Sequence, residues 1–251
     1  MKTLGIIPAR YASNRLPGKP LANICGKPMI WWVYQQATKV KELSDLIVAT
    51  DDIRIFDVCK FYKMSVIMTR DDHLTAAHRI QEVSNHIKSD FYLQLNGDEP
   101  LIESVIISNA IPNEIPQDVE FGTNIVTKMY EPSEVMDPSN IKIVFGENWN
   151  ALYMSRIPIP YPFKSIQFNY YKHIGIIGYN KMMLDFYTNS VPGRLESIEG
   201  IDTLRFIDYG KRLFLIEANI SELLSVDTPK DLEKVRMIMQ KKINDKEINN
   251  E

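Results

Sequence analysis

Four short apolar runs, each closed by a polar loop, constrain the fold of this chain more than any other feature. Residues 3–8 (Thr-Leu-Gly-Ile-Ile-Pro), 46–50 (Leu-Ile-Val-Ala-Thr), 65–68 and 91–95 (Phe-Tyr-Leu-Gln-Leu) are too short and too continuous for amphipathic helices. They read as strands buried on both faces. Residues 29–39, 53–62 and 73–88 between them read as helices. Strands alternating with helices at this spacing predict βαβ units and a mostly parallel sheet, hence an α/β fold. Ligands of such sheets bind beyond the carboxyl ends of the strands. The loops after the first, second and fourth strands are therefore expected to converge on one site.

The second half has a different texture. Residues 141–145 and 151–153 predict paired strands around a Gly-containing turn. Residues 157–172 hold three prolines and many aromatics, which predicts an extended arm. A strand over 170–179, a helix over 195–209 and a strand over 213–218 follow. The helix over 225–239 opens on Asp227-Thr228-Pro229, with proline in its first turn. One mixed α/β domain over 1–240 is expected, with a polar, frayed tail over 241–251.

Composition narrows the function. A chain of 251 residues buries a core without staples, and 29 basic against 32 acidic side chains leave a net charge of −3. That balance argues against nucleic acid as the main partner. Cys25 and Cys59 lie outside any C-x-x-C or Cys/His cluster, so a reducing cytoplasm is expected. The sequence has neither an apolar run of roughly 18 residues nor the pattern of a signal peptide, so no membrane association is expected.

The loop Arg10-Tyr11-Ala12-Ser13-Asn14-Arg15-Leu16-Pro17-Gly18-Lys19-Pro20 carries the strongest chemical signal. Three cations, Arg10, Arg15 and Lys19, follow a buried strand directly, with Gly and Ser available to bring backbone N–H groups close. Such a cluster suits a polyphosphate. A solvated basic loop is the plainer alternative, but its place at the mouth of a parallel sheet favours the phosphate. It is not a Walker A loop, because Pro20 follows Gly18-Lys19. Asp98 and Asp227 each end a strand, and two such carboxylates suit Mg²⁺ held against phosphate oxygens. Asp227 could equally cap the helix that starts near Pro229.

Ile7-Pro8-Ala9-Arg10-Tyr11-Ala12-Ser13-x-Arg15-Leu16-Pro17-Gly18-Lys19-Pro20-Leu21 resembles the opening of the CMP-Kdo synthetase family, the 3-deoxy-manno-octulosonate (Kdo) cytidylyltransferases. The resemblance continues, in order, through Val48-Ala49-Thr50-Asp51, Met68-Thr69-Arg70, Gly97-Asp98-Glu99-Pro100, Ala151-Leu152-Tyr153-x-Ser155-Arg156, His173-x-Gly175-Ile176 and Val226-Asp227-Thr228-Pro229. It implies a glycosyltransferase-A-like α/β fold, CTP as nucleotide, a Mg²⁺ requirement and a homodimer. It also implies a place in lipopolysaccharide or capsule synthesis.

Carried onto this sequence, the resemblance makes Ala9, Arg10, Ser13, Arg15, Lys19, Thr75, Arg79 and Asp98 nucleotide-binding. Arg10, Lys19 and Asp98 become catalytic, and Asp98 and Asp227 hold the metal. The loop 73–79 falls where the family has Ser-Gly-Thr-Glu/Asp-Arg, and it keeps only Arg79, the implied reader of the base. His78 stands in place of an acid, either as a changed base contact or as a surface histidine at a helix start. Arg156 and His173 match family residues that engage the sugar acid, an arginine fork being the natural partner of a carboxylate. Asn96 replaces a glutamine, Ile177 a tyrosine, and Asp202 and Thr203 a Glu-Gln pair in the same acceptor pocket. Such changes bear on which acid is accepted.

The expected reaction is attack of the anomeric hydroxyl of a 2-keto-3-deoxy sugar acid, Kdo or a close relative, on the α-phosphate of CTP, with pyrophosphate released. A different carboxylated acceptor (amino-sugar, nonulosonic or non-sugar acid) remains an alternative. A non-catalytic nucleotide-binding homologue is a further one, disfavoured by the complete set of phosphate and metal residues.

Overall fold

The computed structural model describes all residues except 14, 117, 221–223, 246 and 249–251. Expectations for Asn14 in the first loop and for the last three residues of the tail lie outside the described residues. The first half runs β1 (Thr3–Ala9), a single 3-10 turn (Lys19–Leu21), a small hairpin of β2 (Asn23–Ile24) and β3 (Lys27–Pro28), α1 (Met29–Ala37), β4 (Asp45–Thr50), α2 (Ile53–Phe61), β5 (Val66–Met68), α3 (Ala76–His86) and β6 (Phe91–Leu95). The second half runs α4 (Ser104–Asn109), β7 (Gly122–Met129), α5 (Pro132–Met136), β8 (Lys142–Phe145), β9 (Ala151–Ser155), β10 (Tyr170–Asn180), α6 (Lys181–Asn189), α7 (Arg194–Glu199), α8 (Leu204–Asp208), β11 (Leu213–Glu217) and α9 (Pro229–Asn244).

The main sheet has the order β11-β7-β10-β6-β1-β4-β5. β1 pairs in parallel with β4 and β6, β4 with β5, and β7 with β11. β10 runs antiparallel to both β6 and β7. The mostly parallel sheet expected from the apolar runs is therefore present, with one reversed strand at its centre. β8 branches from β10 and pairs with β9.

Neighbouring residues of one strand feed opposite cores, as the strand period requires. Ile7, Phe91, Leu93 and Ile125 pack with α1, α2, α4 and α9, whereas Leu4, Ile6, Tyr92 and Val126 pack with α3, α6 and α8. Among the described residues no helix is long and apolar enough to cross a membrane.

The structure departs from the sequence expectation in two places. The helix predicted over 195–209 is two helices, because Gly200 adopts a left-handed conformation (φ 63°) and its N–H closes α7 on the Glu196 carbonyl. The break leaves Ile201–Asp202–Thr203 as a turn rather than a helical stripe. The elements α4, β7, α5 and α6 also carry no clear signal of their own. β7 (Gly-Thr-Asn-Ile-Val-Thr-Lys-Met) lies between β11 and β10 in the sheet yet is rich in polar residues, which masks its burial.

Residues 156–169 form neither helix nor strand, and Tyr161, Phe163 and Ile166 are 82%, 86% and 85% exposed.

Candidate active site

The loops leaving β1 and β6 and the start of α3 enclose a cleft of about 790 Å³. Its floor begins at Pro8 and Ala9, where β1 ends. The following loop is shaped by Gly18, whose φ of 68° is left-handed and whose N–H donates to the Tyr11 carbonyl at 3.0 Å. A side chain at Gly18 would meet the Tyr11 ring at 3.0 Å, and the Arg54 guanidinium covers that ring at 3.3 Å. This folding turns Lys19 inward. Its Nζ donates to Asp98 Oδ2 at 2.6 Å and to Asp227 Oδ1 at 3.2 Å, while Arg15 pairs with Asp227 at 2.8 Å. Burial alone would lower the Lys19 ammonium, but the two carboxylates outweigh it and raise it above its usual value.

Asp227 does not cap the helix behind it. Thr228 is the N-cap of α9, accepting from the Asp231 N–H at 3.3 Å while Asp231 reaches back to the Thr228 N–H at 2.9 Å. The Asp227 carboxylate is thereby left to the cleft. Glu99, beside Asp98, is buried and accepts from the Gly175 N–H and the Ser225 hydroxyl, both at 3.4 Å. It ties the end of β6 to β10.

The opposite wall is α3 and the loop before it. Thr75 caps α3, and its hydroxyl lies 2.8 Å from His78 Nδ1. His78 packs edge-on against Tyr187, so the histidine belongs to the helix start rather than to the cleft lining. Arg79 lines the cleft but is 4% exposed; its guanidinium donates to Asp51 at 2.6 Å, to the Arg70 carbonyl at 3.3 Å and to Thr69. These bonds join the loop after β4 to α3. Arg10 and Ser13 also line the cleft, and among the described residues Arg10 makes no hydrogen bond or ion pair. The cleft thus collects Ala9, Arg10, Ser13, Arg15, Lys19, Thr75, Arg79, Asn96, Asp98, Asp202 and Asp227 from loops far apart in sequence.

A second, smaller pocket of about 200 Å³ opens from this cleft. Ala76, Asn96 and Asp202 line both, so the two spaces meet there. His173, Ile177 and Thr203 line the inner pocket, with Thr203 Oγ1 3.4 Å from His173 Nε2 and 3.1 Å from Met154 Sδ. Burial pushes His173 down to about 4, so its imidazole is neutral at ordinary pH. Burial, helped by Glu196, raises Asp202; Arg205 and Arg10 pull the other way.

The turn bearing Asp202 and Thr203 is held from both sides. Glu196 and Arg205 form a buried bidentate pair, at 2.7 and 2.6 Å, that locks α7 to α8. Glu199 accepts from Tyr153, Ser155 and the Arg156 N–H of β9 and the residue after it.

Arg156 is not brought into the pocket. Its fork donates to the carbonyls of Glu199 (2.9 Å), Pro138 (3.0 Å) and Gly200 (3.2 Å). Three of its five N–H groups thus brace the turn after α7, and Arg156 is not among the residues lining either space. Asn124 on β7 went unnoticed in the sequence. The register of β10 against β7 shifts between His173 and Ile177, and the Asn124 amide donates into that irregularity, to the Ile174 carbonyl (2.7 Å) and the Ile176 carbonyl (3.0 Å). Gln94 and Tyr179, also unforeseen, line the inner pocket. The single polar residue within Phe-Tyr-Leu-Gln-Leu was the available clue to Gln94.

The fit of a divalent cation can be judged from the carboxylates. Asp98 and Asp227 already converge on one positive charge, the Lys19 ammonium. Among the described residues no group of three or more His, Cys, Asp or Glu could hold a metal. Two carboxylates completed by phosphate oxygens and water are the usual Mg²⁺ arrangement, so the residues fit.

An α/β fold with a cationic loop at the strand ends and an adjoining pocket is the architecture of a nucleotide-using transferase. The family model for cytidylyltransferases matches residues 4–213, and the chain belongs to that family. The 3-deoxy-manno-octulosonate cytidylyltransferase of Photobacterium profundum is 40% identical over 245 residues, covering 93% of this chain and 98% of that protein. The 8-amino-3,8-dideoxy-manno-octulosonate cytidylyltransferase of Shewanella pealeana is 36% identical over 231 residues, covering 90% and 94%. A solved structure of CMP:2-keto-3-deoxy-manno-octonic acid synthetase complexed with CTP superposes with a TM-score of 0.89 at 35% identity, covering 96% of this chain and 100% of that one.

Proposed function

We propose that this chain transfers CMP from CTP to the anomeric hydroxyl of a 2-keto-3-deoxy sugar acid, Kdo or a close relative, releasing pyrophosphate. One observation supports the reading above the others: a cleft lined by Arg10, Arg15 and Lys19 meets a small pocket at Asn96 and Asp202. CTP would occupy the cleft and the acid the pocket, which brings an acceptor hydroxyl to the α-phosphate at their junction.

In this reading Arg10, Arg15 and Lys19 neutralise the triphosphate, with Ala9 and Ser13 at close approach. Lys19 moves from its aspartates to phosphate oxygens as the nucleotide enters. Asp98 and Asp227 are then released to hold Mg²⁺, which when bound would polarise the α-phosphate and neutralise the leaving pyrophosphate. Thr75 and Arg79 border the base, Arg79 through the wall it stiffens. Asp202 offers acceptor oxygens to a substrate hydroxyl. Ile177, His173 and Thr203 fix the shape of the pocket, and the neutral His173 can donate or accept one hydrogen bond. No covalent intermediate on the protein is required.

The Shewanella pealeana relative keeps a second acceptor in view, an amino-sugar acid. The exposed aromatic arm over 157–169 is proposed as the contact between two copies of a homodimer, since large apolar side chains left this exposed mark association surfaces. A cytoplasmic location completes the proposal. The test is pyrophosphate release from each of CTP, UTP, ATP and GTP, with Kdo and 8-amino-3,8-dideoxy-manno-octulosonate as acceptors. Turnover confined to CTP plus one of these acids is expected; acceptor-independent turnover or a preference for another nucleotide overturns the reading.

A further inference from the structure

The residues lining the inner pocket include no arginine or lysine, and its imidazole, His173, is held neutral by burial. An acceptor acid nevertheless brings a carboxylate to this pocket, and Arg156, which lines neither space, places three of its five N–H groups on backbone carbonyls. Binding that carboxylate therefore draws on neutral donors at the junction, beside Arg10 of the cleft. Asn96 is the amide that lines both spaces.

The Asn96 amide is held in one orientation by a relay that starts on β10. The Tyr179 hydroxyl donates to Gln94 Oε1 at 3.2 Å, and Gln94 Nε2 donates to Asn96 Oδ1 at 2.9 Å. Gln94 and Tyr179 are 6% and 1% exposed, so water does not replace these bonds. Burial raises the Tyr179 phenol well above its ordinary value, which keeps the first donor of the relay protonated. The Asn96 backbone N–H donates to the Gly175 carbonyl at 3.1 Å, and a Cβ at Gly175 would lie 2.1 Å from Asn96 Nδ2. Glycine there makes the room the amide occupies. With Oδ1 accepting from Gln94, the Nδ2 N–H groups are the donors that Asn96 offers a ligand.

We propose that Tyr179 and Gln94 are positioning residues that present the Asn96 amide as a donor to the carboxylate of the acceptor acid. The proposal rests on the acceptor reading given above and adds to it the group that recognises the anionic end. It also accounts for the polar residue in an otherwise apolar strand.

The experiment compares wild type with Gln94→Met, which keeps length and bulk but removes both side-chain bonds, and with Tyr179→Phe, which removes only the first. Steady-state kinetics are measured with CTP and two acceptors, Kdo and its methyl ester, which has no carboxylate. For Gln94→Met the KM for Kdo is expected to rise about tenfold, the effect of losing one hydrogen bond to a charged group. The KM for CTP and the kcat at saturating Kdo stay within about twofold of wild type on the same argument. The ratio of kcat/KM for Kdo over the ester falls, because the ester's neutral carbonyl gains less from the donor than the charged carboxylate does. Tyr179→Phe moves the same ratio in the same direction by less, and it decides the question should Gln94→Met fail to fold. An unchanged acid-to-ester ratio overturns the relay. A CTP KM that rises in parallel also overturns it, by showing that Asn96 serves the α-phosphate instead. A wild type that turns over neither Kdo nor 8-amino-3,8-dideoxy-manno-octulosonate with CTP overturns the functional reading itself, and the relay with it.

Discussion

Acid should destabilise this protein through His173, and the effect can be sized. The unfolded imidazole titrates near 6.5, whereas burial in the inner pocket holds the folded one at about 4. Above the upper value both states are neutral and the histidine contributes nothing. Between the two values the unfolded chain binds a proton that the folded chain refuses, so stability rises with pH and falls on acidification. The window spans about 2.5 pH units, and at about 1.36 kcal/mol per unit the full loss is about 3 kcal/mol. Glu99, raised by burial to about 7, acts with the opposite sign, since its folded form holds a proton the unfolded form has lost. Comparison of wild type with His173→Asn cancels Glu99, which both proteins carry. Urea unfolding at about pH 7 and about pH 4 should show wild type losing about 3 kcal/mol relative to the variant on acidification. Parallel pH profiles would refute the reasoning, because they would mean that the imidazole is solvated or hydrogen-bonded as a cation in the folded chain.

Other expectations follow from the same geometry. Glu196→Gln leaves the Arg205 guanidinium, 2% exposed, with half of its buried pair, and should lower stability by about 3 kcal/mol by urea titration. The double replacement Glu196→Leu with Arg205→Met should recover much of that loss, and a cost near zero for the single variant would contradict the burial argument. Asp98→Asn removes one of the two carboxylates facing Lys19 and should cut turnover by on the order of 10²-fold with the thermal midpoint nearly unchanged. Undiminished pyrophosphate release would count against its role. Arg156→Leu should lower stability by about 1 kcal/mol, since it removes three bonds to backbone carbonyls, two of them solvent-exposed, and loosens the turn before Asp202. A variant with wild-type stability but no affinity for the acid would restore Arg156 as a direct contact.

The parallel half of the fold was legible because Leu4, Ile6, Ile7, Leu93 and their neighbours are buried on both faces and form unbroken apolar runs. β7 was not, because Thr123, Asn124 and Thr127 are buried polar residues, Thr123 bonding the Ala110 carbonyl and Asn124 the carbonyls of β10. The cationic loop and Asp98 could be read from local order, since they follow β1 and β6 directly, whereas Asp227 lies ten residues beyond β11, in the turn before α9. The meeting of Arg15 and Lys19 with Asp227, more than two hundred residues away, is a product of the topology. What local sequence conceals is how a side chain's hydrogen-bonding capacity is divided. Arg156 looks like an anion anchor until its three carbonyl partners are visible. Gln94 looks like an intrusion in a strand until Tyr179 and Asn96 are placed beside it. Gly200, which splits the expected helix and frees Asp202 and Thr203 for the pocket, is legible only in retrospect, since an isolated glycine marks a helix end or a tolerated interior position equally well.

The central claim is transfer of a CMP group onto a carboxylated acceptor, and following the label tests it most directly. With CTP carrying ³²P in the α-position, Kdo and Mg²⁺, the account expects the label in a new CMP-linked acid, with one pyrophosphate formed for each product. Label found only in free CMP, or pyrophosphate formed at the same rate without the acid, would contradict it.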